Sequence, residues 1–253
     1  MLGSILLGKF TFLALFAAIT VAGVHEYLKL VAADGVTPQK WYAMFFSAAL
    51  FLVSWLNASG AISAKWFWIF LPLYFISFVS ELFRKIDKPF NGLAHTNLSL
   101  AYVALPFSLT NFLVFTPESH FAPWILIGLF FLVWTNDTGA YLVGSAIGRT
   151  KLFERISPKK TWEGSIGGAA LALGVASILS IYVKEISLTS WLILALIVST
   201  IGTYGDLVES MLKRSLGIKD SGNLLPGHGG ILDRFDALIL AIPFAVCYLK
   251  LIA

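Results

Sequence analysis

Long apolar runs, separated by short polar or Pro- and Gly-rich breaks, follow one another along the whole chain. Most of the runs have the roughly 18 or more residues that an α-helix needs to cross about 30 Å of hydrocarbon. They cover residues 5–33, 41–57, 65–83, 93–115, 121–147, 162–183, 189–212 and 231–252. We therefore predict an all-α fold, a polytopic transmembrane helical bundle of about eight spans.

Composition excludes a soluble globular domain. Hydrophobic residues occupy 58% of the 253 positions, charged residues occupy 13%, and the mean hydropathy is +0.82. A soluble domain of this size needs far more charged surface. The first apolar run continues without a convincing cleavage site, so we interpret it as a retained span. With no internal repeat and no long linker, we predict a single integral membrane domain over 1–253, with N-terminal spans in 1–92 and catalytic spans and loops in 93–253.

Basic residues cluster in three of the predicted loops. The clusters are Arg84, Lys85 and Lys88; Arg149, Lys151, Arg155, Lys159 and Lys160; and Lys213, Arg214, Lys219 and Arg234. These loops alternate with the short connections 116–120 and 184–188. Because basic loops stay on the cytoplasmic side, we expect these three in the cytoplasm and both termini on the opposite side. Anchoring to anionic lipid explains the first cluster, whereas the other two loops also hold dense Gly, His, Ser and Asp.

The end of the seventh span places four polar residues on one helical face. They are Asp206, Glu209, Ser210 and Lys213. Ionisable groups near the end of an apolar helix are costly unless they face a wet cavity, a partner or a metal ion. A mutual i,i+4 pair is the structural alternative for Glu209 and Lys213. That alternative leaves Asp206 unexplained.

A Gly-rich turn at 226–230, Pro-Gly-His-Gly-Gly, enters the last apolar run. Such a turn exposes backbone N–H groups and the positive end of a helix dipole, which suits phosphate, although these are also ordinary turn residues. Asp233 and Asp236 follow on one face of the predicted helix. Two carboxylates beside a polyphosphate match the oxygen ligands of Mg²⁺. N-capping is the alternative for one of them; the pair, with Asp206, favours a metal site.

The fifth span contains Asp137 in an otherwise apolar run. Asp137, Tyr141, Gly144 and Gly148 keep to one face at helical spacing, and the small residues would let a second helix approach closely. An intramembrane Asp is a functional candidate by default. A hydrogen-bonded structural Asp is the alternative.

Two adjacent lysines, Lys159 and Lys160, follow the fifth span between the hydroxyl residues Ser157 and Thr161. Their ammonium groups can neutralise phosphates electrostatically. Thr161 is equally suited to be the N-cap of the sixth span. The two roles are compatible with each other.

The run from Ser210 to Asp236 resembles the signature of the phosphatidate cytidylyltransferases (CDP-diacylglycerol synthases). That signature consists of a Ser, a Lys-Arg pair, a Lys-Asp pair, a Pro-x-His-Gly-Gly run and an Asp-Arg-x-Asp run. Here these are Ser210, Lys213-Arg214, Lys219-Asp220, Pro226 to Gly230, and Asp233-Arg234 with Asp236. Segments 137–148 and 157–161 resemble upstream motifs of the same family. The resemblance covers the second half of the chain, and a further N-terminal span that family members often carry is not found here.

The resemblance implies an enzyme, a nucleotidyltransferase of phospholipid biosynthesis that forms CDP-diacylglycerol and pyrophosphate from CTP and phosphatidate. It implies Mg²⁺ as cofactor, as one ion or two, and a monovalent ion is compatible with it. The implied metal ligands are Asp137, Asp206, Asp233 and Asp236. The implied catalytic residues are Asp206, Asp233, Asp236, Lys213 and His228. The implied substrate-binding residues are Ser157, Lys159, Lys160, Arg214, Lys219, Gly229, Gly230 and Arg234.

The expected partners are CTP, phosphatidate and membrane lipid, with no nucleic acid. A homodimer is compatible with a compact bundle that lipid enters from the side. We expect an integral protein of the bacterial inner (cytoplasmic) membrane with its active-site loops facing the cytoplasm.

Three alternatives remain open at this point. A transporter would use Asp137 and Asp206 as an ion pathway, but it leaves the His-Gly-Gly and Asp-Arg-x-Asp cluster unexplained, and the internal repeats typical of transporters are absent from the sequence. An enzyme of the same type could instead use an isoprenoid glycerol phosphate or a polyprenol as acceptor. A purely structural membrane protein ranks last, because it gives the buried carboxylates no role.

Overall fold

The computed structural model describes residues 1–218, 221 and 229–251 of the chain. Most of these residues are helical, which confirms the predicted all-α class. The chain divides into two compact units, Met1–Ala122 with Asp220–Arg234 and Pro123–Lys219 with Phe235–Ala253. The subdivision that we expected at residue 92 falls inside the first unit, and a single domain over the whole chain stays a prediction.

Long apolar helices and short distorted ones alternate in the first unit. Its elements are α1 (Leu2–Leu6), α2 (Lys9–Ala33), α3 (Lys40–Ala58), a 3₁₀ segment (Ala64–Ile69), α4 (Phe70–Glu81), α5 (Pro89–Ser99), a π-helical turn (Leu100–Ala104), α6 (Leu105–Leu109) and a second 3₁₀ segment (Thr110–Leu113). The π-helical turn ends just before Pro106. Proline lacks the N–H that continues an α-helix, so the change of hydrogen-bond pattern at this point has a local cause.

The second unit contains two long apolar helices joined by a pair of short strands, followed by further helices. Its elements are α7 (Trp124–Ile147), β1 (Lys151–Phe153), β2 (Ser157–Thr161), α8 (Trp162–Tyr182), α9 (Leu188–Ile197), a π-helical turn (Val198–Gly202), α10 (Thr203–Ser215) and, from Phe235 onward, α11 (Leu232–Leu251).

Each of the eight predicted apolar segments contains helix in the part of the chain that the structure describes. Within that part, five helices are long and apolar enough to cross a membrane. They are Lys9–Ala33, Lys40–Ala58, Trp124–Ile147, Trp162–Tyr182 and the continuous run Leu188–Ser215. The third and fourth predicted segments are each divided among shorter helical pieces. The chain is therefore an all-α polytopic membrane protein, and its number of crossings stays a prediction.

Helix α2 lies at the centre of the first unit. Its side chains Phe12, Phe16 and Tyr27 are fully buried, and α2 packs against α3, α5, α6 and the first π-helical turn. On the outside of the same unit, large apolar side chains such as Trp41 and Phe83 are about four-fifths exposed. Such a surface is unfavourable in water but is compatible with hydrocarbon.

Helices α7 and α8 pack extensively along each other. A Cβ atom added at Gly164 on α8 would lie 2.7 Å from the Ala140 carbonyl oxygen and 3.1 Å from the Gly144 Cα on α7. The two backbones therefore approach at a point where a side chain does not fit. This confirms the prediction that the small residues after Asp137 admit a second helix.

A short β-hairpin connects α7 to α8 where we had expected an irregular loop. Strands β1 and β2 are antiparallel, with Lys151 opposite Thr161 and Phe153 opposite Ser157. Thr161 then caps α8, because its Oγ1 accepts a hydrogen bond from Gly164 N at 3.2 Å, which confirms the N-cap interpretation. The Glu163 carboxylate accepts hydrogen bonds from the backbone N–H groups of Arg149 and Thr150, and so fixes the start of the hairpin against the first turn of α8.

We predict that Gly164→Ala destabilises the protein, because the added methyl group would collide with the α7 backbone. The free energy of unfolding should fall by about 1–3 kcal/mol, the usual cost of overpacking. Gly174→Ala on the same helix is the matched control, since nothing lies within 4 Å of a Cβ at that position. It should be neutral or slightly stabilising, because alanine favours a helix over glycine by up to about 1 kcal/mol. Thermal denaturation of both variants in one detergent measures the difference, and an equal response would contradict this packing.

Candidate active site

A cavity of about 350 Å³ lies in the second unit between α7, β2, α8 and α10. Its charged lining residues are Asp137, Lys159, Lys160 and Asp206. All four were singled out in the sequence, where they occupy three separate segments. The fold brings them to one place, because the hairpin folds back and places the lysines beside Asp137 of α7 and Asp206 of α10.

An ion pair crosses this cavity. The Lys160 Nζ lies 2.5 Å from the Asp206 Oδ2, and both side chains are partly exposed. The Ser210 hydroxyl, one turn further along α10, lies 3.3 Å from the other Asp206 oxygen and can donate to it. Lys159 lines the same cavity and is exposed. The pair therefore links β2 to α10 and leaves a second ammonium group at the cavity.

Asp236 reaches the neighbourhood of this ion pair because α11 approaches α10 at a glycine. A Cβ atom added at Gly205 would lie 2.5 Å from the Asp236 carbonyl oxygen, so the two helix backbones touch beside Asp206. Asp236 interacts electrostatically with Asp206, Asp137 and Lys160, and Asp137 interacts with Lys160 and Asp206. Asp137, Asp206 and Asp236 thus all interact with the Lys160 ammonium group, an arrangement that a further cation would stabilise.

The described carboxylates match Mg²⁺ in donor type but do not form a complete cage. In the ranges 1–218, 221 and 229–251, no group of three or more His, Cys, Asp or Glu side chains is arranged to hold a metal ion by itself. Mg²⁺ usually takes one or two carboxylates and completes its coordination with water and substrate phosphates. Asp137, Asp206 and Asp236 therefore fit an ion that arrives with a polyphosphate.

Asn136 is a cavity residue to which the sequence analysis gave no role. It lines the cavity and is 4% exposed, and its Oδ1 is buried without a hydrogen-bond partner among the residues described. A Cβ atom added at Gly168 on α8 would lie 2.9 Å from this oxygen. Glycine at position 168 therefore leaves room for the Asn136 side chain beside the cavity.

Asp233 occupies a different environment, in the first unit. Its Oδ2 accepts hydrogen bonds from Gly230 N at 2.8 Å, Ser221 N at 3.0 Å and Ser221 Oγ at 2.9 Å. The reach back to Gly230 three residues earlier is the contact of a helix-capping carboxylate. A metal-binding role for Asp233 stays a prediction.

Glu26 on α2 is a polar group of this region that the sequence analysis missed. Its carboxylate accepts hydrogen bonds from Ser221 Oγ at 2.6 Å, Ile231 N at 2.8 Å and Leu232 N at 3.0 Å. The available signal was a lone glutamate inside the first apolar run, a position where an ionisable group is costly.

Other predicted residues lie away from the cavity lining. Lys213 Nζ lies 2.5 Å from Glu209 Oε2, which confirms the i,i+4 pair, and Arg214 Nη1 donates to the Ile218 carbonyl oxygen at 3.3 Å. Ser157 begins β2, and Arg234 is exposed on the first turn of α11. Substrate-binding and catalytic roles for these four residues stay predictions.

Part of the Gly-rich turn lies outside the described residues. The predicted site residue His228 of this turn and the earlier residue Lys219 both lie outside them. Of the predicted phosphate-binding glycines, Gly229 adopts φ +77°, a left-handed conformation that favours glycine. Gly230 follows it and donates to Asp233.

Comparison with known proteins extends the likeness to the whole chain. Residues 1–252 match the model of the cytidylyltransferase family. Similar curated proteins include the phosphatidate cytidylyltransferase of Staphylococcus saprophyticus, 41% identical over 68% of this chain and 65% of that protein. The same name is given to proteins of Haemophilus influenzae, 44% identical over 51% of this chain and 47% of that protein, and Bacillus subtilis, 48% identical over 47% and 45%.

The aligned segments span less than two thirds of the length of these relatives. The family match, however, includes the apolar first half of the chain, where no motif was found, as well as the segments that supply the carboxylates and lysines of the cavity. The chain thus belongs to the cytidylyltransferase family.

Proposed function

We propose that this chain is a phosphatidate cytidylyltransferase of phospholipid biosynthesis, which converts CTP and phosphatidate into CDP-diacylglycerol and pyrophosphate. The observation that carries the proposal is the cavity where Asp137, Lys160 and Asp206 meet. Membership of the cytidylyltransferase family and the name shared by the curated relatives support the same activity.

The reaction needs no nucleophile from the protein. A phosphate oxygen of phosphatidate attacks the α-phosphorus of CTP and forms the new phosphoanhydride bond. The bond between the α-phosphorus and the bridging oxygen breaks, and pyrophosphate leaves with that oxygen and the electron pair. The protein must align the attacking oxygen with the α-phosphorus and stabilise the negative charge that builds up on the leaving group.

The cavity residues suit these two tasks. Lys159 and Lys160 would bind the phosphates, since two ammonium groups on adjacent residues neutralise charge without demanding one geometry. Asp137, Asp206 and Asp236 would hold Mg²⁺, which supplies positive charge to the phosphate oxygens when it is bound. The remaining residues of the signature, Asp233 and His228 among them, join this assignment through the sequence resemblance.

A second recess beside the cavity supports a lipid as the acceptor. It has a volume of about 170 Å³, lies between β1, α8 and α10, and shares Ser165 and Thr203 with the charged cavity. Its walls are mainly apolar and include Trp162 and Ile166. An apolar chain in this recess would leave its headgroup beside Lys160 and Asp206. We place the basic loops in the cytoplasm, as the distribution of basic residues indicates. We place the chain in a bacterial inner membrane, because the curated relatives with which it aligns are bacterial proteins.

We predict that the purified protein in mixed micelles with phosphatidate, Mg²⁺ and CTP labelled on the α-phosphate transfers the label to a lipid product. Asp206→Asn removes one carboxylate charge from the cavity and should lower the rate by about 100-fold or more, the scale seen when a group that stabilises transition-state charge is lost. Glu185→Gln is the control, because Glu185 is exposed in the short connection between α8 and α9.

The acceptor is tested in the same assay. The label could enter another lipid phosphate or a polyprenol and not phosphatidate. That result would support the proposed CTP site and contradict phosphatidate as the acceptor. If the folded protein consumes no CTP with any lipid, the proposed enzymatic activity is wrong and an ion-coupled transporter becomes the favoured alternative.

We predict that chelation by EDTA abolishes the transfer and that excess Mg²⁺ restores it. The physical reason is that the three carboxylates would otherwise repel the triphosphate. Binding of Mn²⁺, followed by its paramagnetic effect on water relaxation, should weaken in Asp206→Asn and stay unchanged in Glu185→Gln. Full activity in EDTA would contradict the assignment of these carboxylates to a metal ion.

A further inference from the structure

Glu26 is a buried carboxylate far from the signature residues in sequence. It lies near the C-terminal end of α2, and only 5% of its surface is exposed. A buried carboxylate is stable only where donors or cations compensate its charge. The partners of Glu26 therefore indicate why the first apolar helix carries it.

The donors that reach Glu26 belong to the start of α11. Leu232 N is the first backbone N–H group of that helix, and Ile231 N lies one residue before it, so neither has a partner within the helix itself. Both donate to the Glu26 carboxylate, at 2.8 and 3.0 Å. A carboxylate at this end also meets the positive end of the helix dipole. Glu26 thus caps α11 from a different part of the chain.

The same carboxylate reaches the segment before the Gly-rich turn. Ser221 Oγ lies 2.6 Å from Glu26 Oε1 and 2.9 Å from Asp233 Oδ2. Asp233 in turn accepts from Ser221 N and Gly230 N. Glu26, Ser221 and Asp233 form one hydrogen-bonded cluster that holds Ser221 close to Gly230.

The cluster leaves no room for a side chain at residue 230. A Cβ atom added to Gly230 would collide with Glu26 Oε1 and with Ser221 Oγ. This close approach gives a physical reason for glycine at that position. It also shows that the Glu26 carboxylate lies directly against the backbone of the signature segment.

We propose that Glu26 is a positioning residue of the cytidylyltransferase: it holds Ser221, Gly230 and the first turn of α11 around Asp233. The inference rests on the proposed function, because the segment that Glu26 holds carries the Asp-Arg-x-Asp run. Glu26 acts through these groups and not on the substrate. Its loss should therefore disturb alignment, which affects kcat more than substrate binding.

Glu26→Gln is the sharpest variant, because it keeps the shape and removes the charge. The amide presents one oxygen and one NH₂ group, so a donor would face a backbone N–H of α11 where the carboxylate accepted it. We expect kcat to fall about 10–100-fold, the usual effect of losing a group that orients a functional residue. The KM for CTP should stay close to that of the unchanged protein.

Glu81→Gln is the matched control. Glu81 is also a buried glutamate of the first unit, but its partners among the described residues are Arg84, at 2.9 Å, and the side-chain amide of Gln39, neither of which belongs to the start of α11. We expect Glu81→Gln to lower the melting temperature and to leave kcat unchanged. A kcat loss of similar size in both variants would reduce the role of Glu26 to general stability and overturn the proposal.

Ser221→Ala provides a second variant, which removes the hydroxyl between the two carboxylates without introducing a new donor. If Glu26 acts through Ser221, the kcat losses of Glu26→Gln and Ser221→Ala should not multiply in the double variant. Fully multiplicative losses would show that the two residues act independently and would contradict the cluster.

Hydrogen exchange separates this inference from the proposed function, since it needs no substrate. In Glu26→Gln, the amides of Ile231 and Leu232 should exchange faster, whereas Glu81→Gln should leave them protected. Unchanged protection in Glu26→Gln would overturn the positioning role even in an active enzyme. Faster exchange in a protein without cytidylyl transfer would uphold the contact and overturn the proposed function instead.

Discussion

An ionised carboxylate inside an apolar helical bundle is stable only where donors or a cation surround it, and the polar architecture of this chain follows from that constraint. Lys160 compensates Asp206 across the cavity of the second unit. Lys213 compensates Glu209 within α10. Glu26 receives its donors from a hydroxyl and from two backbone N–H groups. Each arrangement fixes the position of one segment or helical turn relative to another, which non-directional apolar contacts alone would not do.

The two aspartates at the start of α11 meet the constraint in different ways. Asp233 accepts hydrogen bonds from Ser221 and Gly230, and these donors compensate its charge and hold the local backbone in place. Asp236, one turn later, interacts with further carboxylates and one ammonium group. Its Oδ1 accepts a hydrogen bond from Ala237 N at 2.6 Å, and the neighbouring carboxylates would favour a divalent cation beside it. One helix thus carries one carboxylate that is held by hydrogen bonds from Ser221 and Gly230 and one that faces other carboxylates.

Part of the candidate site could be predicted from the sequence, because charged residues are rare in the apolar runs. Asp137 and Asp206 stand out because charged residues are few in apolar runs, and the paired lysines stand out beside a predicted helix start. The structure places all of them at one cavity. Their pairing was not predictable, since Lys160 meets Asp206 only because the segment after α7 folds back as a hairpin. That hairpin has strands of three and five residues without apolar alternation, so it lacks the pattern from which strands are recognised.

By itself, the sequence determined the membrane class and the helical segments, and it singled out the charged residues that line the cavity, because run length and the rarity of charge are local properties. It also determined the i,i+4 pair of Glu209 with Lys213, which depends on helix geometry alone. Only the tertiary structure decided the partners of Glu26, whose donors lie about two hundred residues later in the chain. The sequence identifies a carboxylate and its charge. Its hydrogen-bond partners, however, depend on which distant segments of the chain pack against it in the folded protein.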